Sequence, residues 1–329
     1  MTELLPEFRL AQPHDVAAAI AARREHRTSR YLAGGSDLVV NIRHGIETPA
    51  VLIDLMGIEE LSQWTWSREG ARIGACVTVS ELAAQPELRQ RYRALAEAAE
   101  AIAGPAHRTA ATVGGNLCLD TRCIYYNQSQ WWRRANAFCL KHRGEICHVA
   151  PQGKRCHAAF CGDLAPALIA LGGEVEIAGP GGRRRIGLGE LYVEDGKAHL
   201  TLAVDELVVA VHVPADAPPS SYRKVRTREA IDFPLAGVAV ALEVAAGTLK
   251  KLRIAVTGTN SRPFLVEGTH ALVGKRIDET LLQALDKLVQ KQVQPMRTTI
   301  ASAHYRRLAA AALARRLVAK LAAEQVPAP

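Results

Sequence analysis

The pattern of apolar and polar positions predicts a βαβ unit at the start of the chain. "EFRLAQP" predicts a short strand, and "HDVAAAIAARREH" predicts a helix with an Ala-rich face. "RYLAGGSDLVVNIRHG" then predicts a buried strand, a glycine turn and the start of a helix, and "AVLIDL" predicts another strand. Strands that alternate with helices in this way are typical of a parallel sheet, here in a unit of about 60 residues.

The rest of the chain predicts a mixture of strands and helices. "ARIGACVTVSELAAQPEL" predicts a strand and then a helix, for which Ser80 is the expected N-cap. "AHLTLAV" and "ELVVAVHVP" predict neighbouring antiparallel strands, and "GVAVALEVAAGTLKKLRIAVTG" predicts a strand, a turn and a strand. A terminal helix is predicted with Leu313, Leu317 and Leu321 on one face.

These elements predict a fold of the α+β class (mixed α/β) in three parts. A chain of 329 residues, 48% of them hydrophobic, is long enough to bury two or three cores. "ADAPPSS" is rich in Pro and Ser and indicates a linker before the last part. The predicted domains are residues 1–58 (βαβ), 59–217 (α+β) and 218–329 (α+β).

The composition limits the class of protein. The sequence has no run of about 18 apolar residues and no basic start followed by an apolar stretch, so neither a membrane span nor a secretory signal is expected. A cytoplasmic protein is predicted, and there clustered cysteines more often bind metal or carry redox chemistry than form disulfides. The net charge of +8 suggests an acidic partner or an anionic ligand.

Two glycine turns are candidates for binding phosphate. In "LAGGSDLV" and "TVGGN", backbone N–H groups can approach a phosphate without obstruction by a Cβ atom. An ordinary strand–helix turn is the alternative for each, although two such turns together favour a shared diphosphate ligand. Neither turn matches the nicotinamide or ATP fingerprints, G-x-G-x-x-G and G-x-x-x-x-G-K-[ST].

Five motifs in order resemble one family over nearly the whole chain. "YLAGGSDLVV…VLIDL", "ATVGGN", "GDLAPAL", "ELVVAVHVP" and "YRKVR" resemble the FAD-binding flavoprotein component of the molybdenum hydroxylases, the family of xanthine dehydrogenase and carbon monoxide dehydrogenase. The resemblance implies a PCMH-type FAD-binding fold of two α/β subdomains, followed by a C-terminal α+β domain of the CO dehydrogenase flavoprotein type.

The resemblance also implies a set of FAD-binding residues. The two turns would hold the FAD diphosphate, Asp163 the polyol chain, and Leu207 and Lys224 would lie near the isoalloxazine ring. Cys161 stands where relatives usually carry Ser or another small residue, and we expect it to be a small buried residue beside the flavin. The turn residues are Leu32, Ala33, Gly34, Gly35, Ser36, Asp37, Leu38, Val39, Thr112, Val113, Gly114, Gly115 and Asn116.

A cysteine-rich segment interrupts this framework. In most relatives the glycine turn is followed within a few residues by the Gly-Asp motif, whereas here 46 residues separate Asn116 from Asp163. About 40 residues, roughly 119–160, therefore form an insert, and long inserts in compact domains are usually functional or disordered. Aromatic bulk argues against disorder, and six of the seven cysteines lie in or beside the insert.

The residues alone leave two metal sites open, a zinc site and an iron–sulfur cluster. Zinc would use cysteines together with His142, His148 or His157, whereas four thiolates satisfy a [4Fe–4S] cluster. The wide cysteine spacing resembles the β subunits of 4-hydroxybenzoyl-CoA reductases, which carry such an insert. That resemblance favours a [4Fe–4S] cluster with Cys118 and Cys161 left in the FAD framework, and its predicted ligands are Cys123, Cys139, Cys147 and Cys156.

The charge of the insert suggests an electron-transfer partner. Seven Lys/Arg against two acidic residues give it five of the eight net positive charges. A basic rim that includes Arg133 and Arg134 would attract an acidic carrier such as ferredoxin. Nucleic acid is not expected as a partner, because a nucleic-acid-binding fold is not recognisable.

The resemblance implies an electron-transfer subunit without a substrate site of its own. A molybdopterin (Mo) subunit and a [2Fe–2S] subunit would complete a hetero-oligomer. Electrons would pass from ferredoxin through the [4Fe–4S] cluster and FAD to molybdenum, for the reductive dehydroxylation of 4-hydroxybenzoyl-CoA. Two alternatives remain open: the FAD subunit of an oxidative molybdenum hydroxylase with a structural zinc insert, and a zinc-stabilised binding module.

Overall fold

The computed structural model describes residues 5–325, and residues 5–54 form the predicted βαβ unit. Three parallel strands lie in the order β1-β3-β2, with Ile53 at the centre of the sheet core. Apolar residues of this unit pack against Leu207 and Val209 of the next sheet, so the two sheets share a core. The elements are β1 (Arg9–Ala11), α1 (Val16–Glu25), β2 (Ser29–Leu32), α2 (Leu38–Arg43) and β3 (Val51–Asp54).

The middle of the chain builds a five-stranded sheet covered by helices. Its strand order is β4-β5-β8-β6-β7, and every pairing is antiparallel. The core is formed largely by this sheet with α4, α6 and α10. The elements are α3 (Glu59–Ser62), β4 (Trp64–Ser67), β5 (Gly70–Gly74), α4 (Val79–Ala84), α5 (Pro86–Arg91), α6 (Arg93–Ala101), α7 (Pro105–Arg108), α8 (Val113–Leu117), α9 (Gln130–Ala135), α10 (Leu164–Leu171), β6 (Glu174–Gly179), β7 (Gly182–Gly187) and β8 (Leu207–Pro214).

Two local predictions in this region are wrong. Helix α4 is capped by Thr78 and not by Ser80, because Glu81 returns the hydrogen bond that completes a capping box. The segment "AHLTLAV" is not a strand beside β8, since both edges of β8 are already paired with β5 and β6. The β-pairing of this segment is limited to an isolated antiparallel bridge between Leu200 and Tyr192.

The last part of the chain is an antiparallel sheet backed by two helices. The strand order is β12-β11-β10-β9, and α11 and α12 bury their apolar faces on it. Leu317 and Leu321 are buried and Leu313 packs against them, as the spacing of four predicts. The elements are β9 (Ser220–Val225), β10 (Ala236–Ala245), β11 (Thr248–Thr257), β12 (Phe264–Leu265), α11 (Glu279–Gln292) and α12 (Ala303–Gln325).

The cysteine-rich insert is ordered without much regular structure. It contains α9, and a bridge between Arg122 and Ala159 closes its base. Arg133 is 1% exposed and donates hydrogen bonds to the carbonyls of His44 and Gln128, which tie α9 to the end of α2. Across residues 5–325, none of the helices is both long and apolar enough to cross a membrane.

Candidate functional site

The first glycine turn presents unpaired amides between β2 and α2. Gly35 has a φ of +68°, which glycine adopts without strain. In the described part of the chain, the N–H groups of Gly34, Gly35 and Ser36 have no hydrogen-bond acceptor. Because such amides form strong bonds with anions, this turn is suited to bind a phosphate.

The second glycine turn uses its amides internally. The N–H of Val113 donates to the carbonyl of Val77 (3.0 Å), and that of Gly114 to the carbonyl of Ala75 (2.8 Å). A Cβ at Gly114 would lie 2.8 Å from the Cβ of Ala75, so the missing side chain permits this approach. The turn therefore supplies a close-packed wall rather than free donors.

The two turns lie directly against each other. A Cβ on Gly34 would lie 1.6 Å from the carbonyl oxygen of Ala110, which only glycine avoids. The contact joins the βαβ unit to the helical part of the middle region, with the free amides of the first turn beside it. A cofactor held here would touch both parts of the chain.

A cavity of about 420 Å³, here called the smaller cavity, lies between the two turns. Ligand sites typically occupy about 300–1,000 Å³. Three buried polar atoms among its lining residues lack partners within residues 5–325: the hydroxyl of Tyr31, Oδ1 of Asn41 and Nε2 of His199. Since orphaned buried polar groups are costly, this cavity fits a polar ligand that satisfies them.

A second cavity of about 580 Å³, here called the larger cavity, adjoins the first. Both cavities are lined by Ser36, Asp37, Asn41 and Gly115, so together they form one extended cleft. In the wall of the larger cavity, Asp163 accepts a hydrogen bond from the Tyr222 hydroxyl (2.7 Å) and pairs with the Lys224 ammonium (2.9 Å). A cleft of this shape can hold a long, two-part cofactor.

Family comparisons identify the framework around this cleft. Residues 6–216 match the FAD binding domain in molybdopterin dehydrogenase, and residues 220–321 match the CO dehydrogenase flavoprotein C-terminal domain. The chain belongs to this flavoprotein family. The predicted mixed α+β fold of the FAD-binding type is thereby confirmed.

Individual relatives and solved structures agree with this assignment. The chain is 34% identical over 267 residues to the Escherichia coli K12 aldehyde oxidoreductase FAD-binding subunit PaoB, covering 77% of this chain and 81% of the relative. It is 28% identical to the carbon monoxide dehydrogenase medium chain of Hydrogenophaga pseudoflava, covering 85% and 84%. A solved structure of that dehydrogenase has the same fold, with a TM-score of 0.80 at 23% identity over 98% of this chain.

The structure brings most of the predicted FAD residues of this flavoprotein to the cleft. Leu207 lines the smaller cavity, and Lys224 contacts Asp163, which lines the larger one. Leu32 and Val39 flank the first turn, and Val113 is buried behind the second. The smaller cavity is lined by Ala33, Gly34, Gly35, Ser36, Asp37, Leu38, Thr112, Gly114 and Gly115, and the larger one by Asn116 and Asp163.

Sequence reasoning missed three polar residues of the smaller cavity. Tyr31 lies on β2 next to the turn, and Asn41 lies on α2. His199 lies well after the end of the insert, in the stretch "AHLTLAV", which looks like an ordinary strand. Tyr31 and Asn41 are polar residues within the stretch "RYLAGGSDLVVNIRHG" that holds the first glycine turn, and this proximity was a usable signal. Nothing in the sequence marks His199.

The four predicted cluster ligands line one small cavity, here called the cysteine cavity. Cys123, Cys139, Cys147 and Cys156 all border it, and Cys123 also lines the larger cavity. Burial raises the pKa of Cys123 to about 12 and that of Cys156 to about 11, so without a metal these thiols keep their protons at neutral pH. Binding of a metal would release the protons, because the thiolate is the ligand. Among residues 5–325, no group of three or more His, Cys, Asp or Glu has the arrangement for a metal ion.

The remaining cysteines belong to the FAD framework. Cys161 is buried in the wall of the larger cavity, and Cys118 lines the smaller one. Cys76, which the sequence did not single out, lines the smaller cavity as well. Burial raises the pKa of Cys118 to about 12 and that of Cys161 to about 11.

A network of charges connects the first glycine turn to the cysteine cavity. Asp37 accepts a hydrogen bond from the backbone N–H of Asp120 (2.9 Å) and pairs with Arg122. Asp120 in turn binds the ammonium of Lys141 (2.6 Å), which borders the cysteine cavity. Burial alone would raise the pKa of Asp120, but Lys141 and Arg122 hold it below its ordinary value.

The structure corrects the predicted basic rim in one respect. Arg133 is buried and donates to backbone carbonyls, so it cannot be part of a docking surface. Arg134, the next residue of α9, is exposed, as are Arg143 and Lys154. A basic surface on the insert is therefore smaller than the sequence suggested.

Proposed function

We propose that this chain is the FAD-carrying, electron-transfer subunit of an oxidative molybdenum hydroxylase complex whose substrate is an aldehyde. The relative named as an aldehyde oxidoreductase FAD-binding subunit supports the substrate class. A molybdopterin subunit would oxidise the substrate, and a [2Fe–2S] subunit would pass the electrons to this chain. This proposal replaces reductive dehydroxylation as the leading interpretation.

Our proposal places FAD along the extended cleft. The amides of Gly34 to Ser36 would bind its diphosphate, and Tyr31, Asn41 and His199 would satisfy its polar groups in the smaller cavity. Asp163, held by Tyr222 and Lys224, would meet the part of the cofactor in the larger cavity. FAD supplies the capacity to accept two electrons and release them singly.

We further propose that the four cysteines of the cysteine cavity bind a [4Fe–4S] cluster. The observation that carries this proposal is that all four thiols border one cavity, and Cys123, which also lines the larger cavity, would put the cluster beside the FAD. Each thiolate of such a cluster binds a different iron, so the four sulfurs stand farther apart than around a single zinc. The cavity has only about 10 Å³ of open space, and cluster binding would move the side chains outward.

A second candidate function uses the same cofactors in the opposite direction. If ferredoxin is the electron donor, the complex would dehydroxylate 4-hydroxybenzoyl-CoA. The observation that favours this candidate is the set of exposed cations Arg134, Arg143 and Lys154 on the insert, which suits an acidic carrier. A subunit that delivers electrons out of the complex could use the same surface for an acidic electron acceptor. Turnover of the two substrates therefore distinguishes the oxidative from the reductive function.

The experiment is cofactor analysis followed by turnover of the purified complex. The chain is co-purified anaerobically with its partner subunits, and FAD, iron, zinc and acid-labile sulfide are quantified per chain. We expect one FAD and four iron with four sulfide in this subunit, and zinc in place of iron would exclude the cluster. Oxidation of an aldehyde with a dye acceptor supports the first function, whereas dehydroxylation of 4-hydroxybenzoyl-CoA with reduced ferredoxin would overturn it.

A further inference from the structure

Lys141 borders the cysteine cavity and pairs with Asp120, which borders the smaller cavity. Its side chain is only 5% exposed, and its ammonium donates to Thr121 Oγ1 (2.5 Å) and to the Thr121 carbonyl (3.1 Å). The ammonium also lies 4.1 Å from the centre of the Tyr126 ring. These contacts fix a positive charge in the interior, where water screens it little.

The ion pair of Lys141 with Asp120 has a defined orientation. Lys141 borders the cysteine cavity, and Asp120 borders the smaller cavity, with 2.6 Å between the ammonium nitrogen and Oδ1. The positive member of the pair therefore belongs to the wall of the cysteine cavity, and the negative member belongs to the wall of the smaller cavity. Asp120 is itself held by Asn41 and by the backbone contact with Asp37.

The orientation matters because reduction of an iron–sulfur cluster adds one negative charge without forming or breaking a bond. A fixed cation beside the cluster stabilises the reduced form and makes the reduction potential more positive, whereas a nearby anion does the opposite. At short range in a poorly screened interior, one charge is enough to change the potential measurably.

We propose that the Lys141–Asp120 pair sets the reduction potential of the cluster, with Lys141 raising it and Asp120 lowering it. Lys141 is thus a positioning and tuning residue rather than a ligand. This inference rests on the proposed [4Fe–4S] cluster. It assigns the pair a role in determining how readily electrons move between the cluster and FAD.

The test is a redox titration of the purified complex, monitored by the EPR signal of the reduced cluster. We expect K141M to shift the midpoint potential to a more negative value and D120N to shift it to a more positive value. Lys141→Arg keeps the charge and should restore most of the wild-type potential. Lys154→Met is the matched control, because it removes an exposed cation of the same insert and should leave the midpoint unchanged.

Midpoint shifts of opposite sign in K141M and D120N distinguish tuning from structural damage, because damage would shift the potential of both variants in the same direction. Shifts of the same sign, or none in variants that retain full iron and FAD, would overturn the role of Lys141. If K141M fails to retain the cluster, the D120N shift still tests the sign, and K141R tests whether a positive charge at this position is enough to keep the wild-type potential. A wild-type complex without iron would overturn the cluster itself, and iron analysis before the titration identifies that outcome separately.

Discussion

Lys224 and Asp163 form an ion pair in the interior, with 2.9 Å between the ammonium nitrogen and Oδ1. Their side chains are 3% and 4% exposed, and the Tyr222 hydroxyl donates to the same oxygen of Asp163. Tertiary packing makes them a fixed, buried pair, with Asp163 in the wall of the larger cavity.

Replacing one member of this pair should destabilise the protein strongly. Asp163→Asn leaves the Lys224 ammonium buried without its counterion, which typically costs about 3–5 kcal/mol. Urea unfolding followed by circular dichroism measures the change in the free energy of unfolding. Glu243→Gln, which breaks an exposed pair with Lys251, is the control and should cost roughly 0–1 kcal/mol. Equal costs for the two variants would contradict the buried pair.

Glycine at position 34 should be required for FAD binding. Gly34→Ala would bring a Cβ against the carbonyl of Ala110 and force the two turns apart, so we expect loss of most bound FAD and a lower melting temperature. Gly57→Ala is the control, because a Cβ there meets no atom within 4 Å. FAD is quantified by absorbance after release from the protein. A Gly34→Ala protein with a full complement of FAD would show that the turns can separate without loss of the site.

Replacing a cysteine of the cysteine cavity should lower the iron content, whereas replacing a cysteine of the FAD framework should not. Cys139→Ser removes one proposed ligand and should abolish cluster iron while FAD stays bound, since Cys139 borders the cysteine cavity and lines neither cavity of the FAD cleft. Cys161→Ser is the matched control: it replaces a buried thiol of the larger cavity and should leave iron unchanged. Iron and acid-labile sulfide per FAD measure both effects. Full iron in Cys139→Ser would show that the ligand set is wrong.

His199 should make the protein less stable in mild acid. Burial lowers its pKa from 6.5 to about 4, so between these values the unfolded chain binds a proton that the folded chain does not. Stability therefore falls as the pH drops from about 6.5 to 4, by about 3 kcal/mol at most. Urea unfolding between pH 4 and 7 measures this slope. In His199→Gln the slope should be smaller, and an unchanged slope would show that other groups cause it.

Tertiary structure, rather than local sequence, decided the role of several residues. The Thr78 cap could be predicted, because Glu81 stands three residues later, but the pattern of "VTVSEL" offers two candidate caps. "AHLTLAV" has the composition of a strand, yet β8 has no free edge for it. Arg133 looks like a surface cation in sequence, and only the fold shows that it satisfies buried carbonyls.

The sequence by itself determined the alternation of strands and helices, the two glycine turns and the family, because local periodicity and short motifs carry that information. The structure decided which turn offers free amides, how Lys141 and Asp120 are oriented, and which cysteines share a cavity. These properties depend on contacts between residues far apart in the chain, such as Gly34 with Ala110. Local sequence patterns do not encode those distances, and packing of the whole chain fixes them.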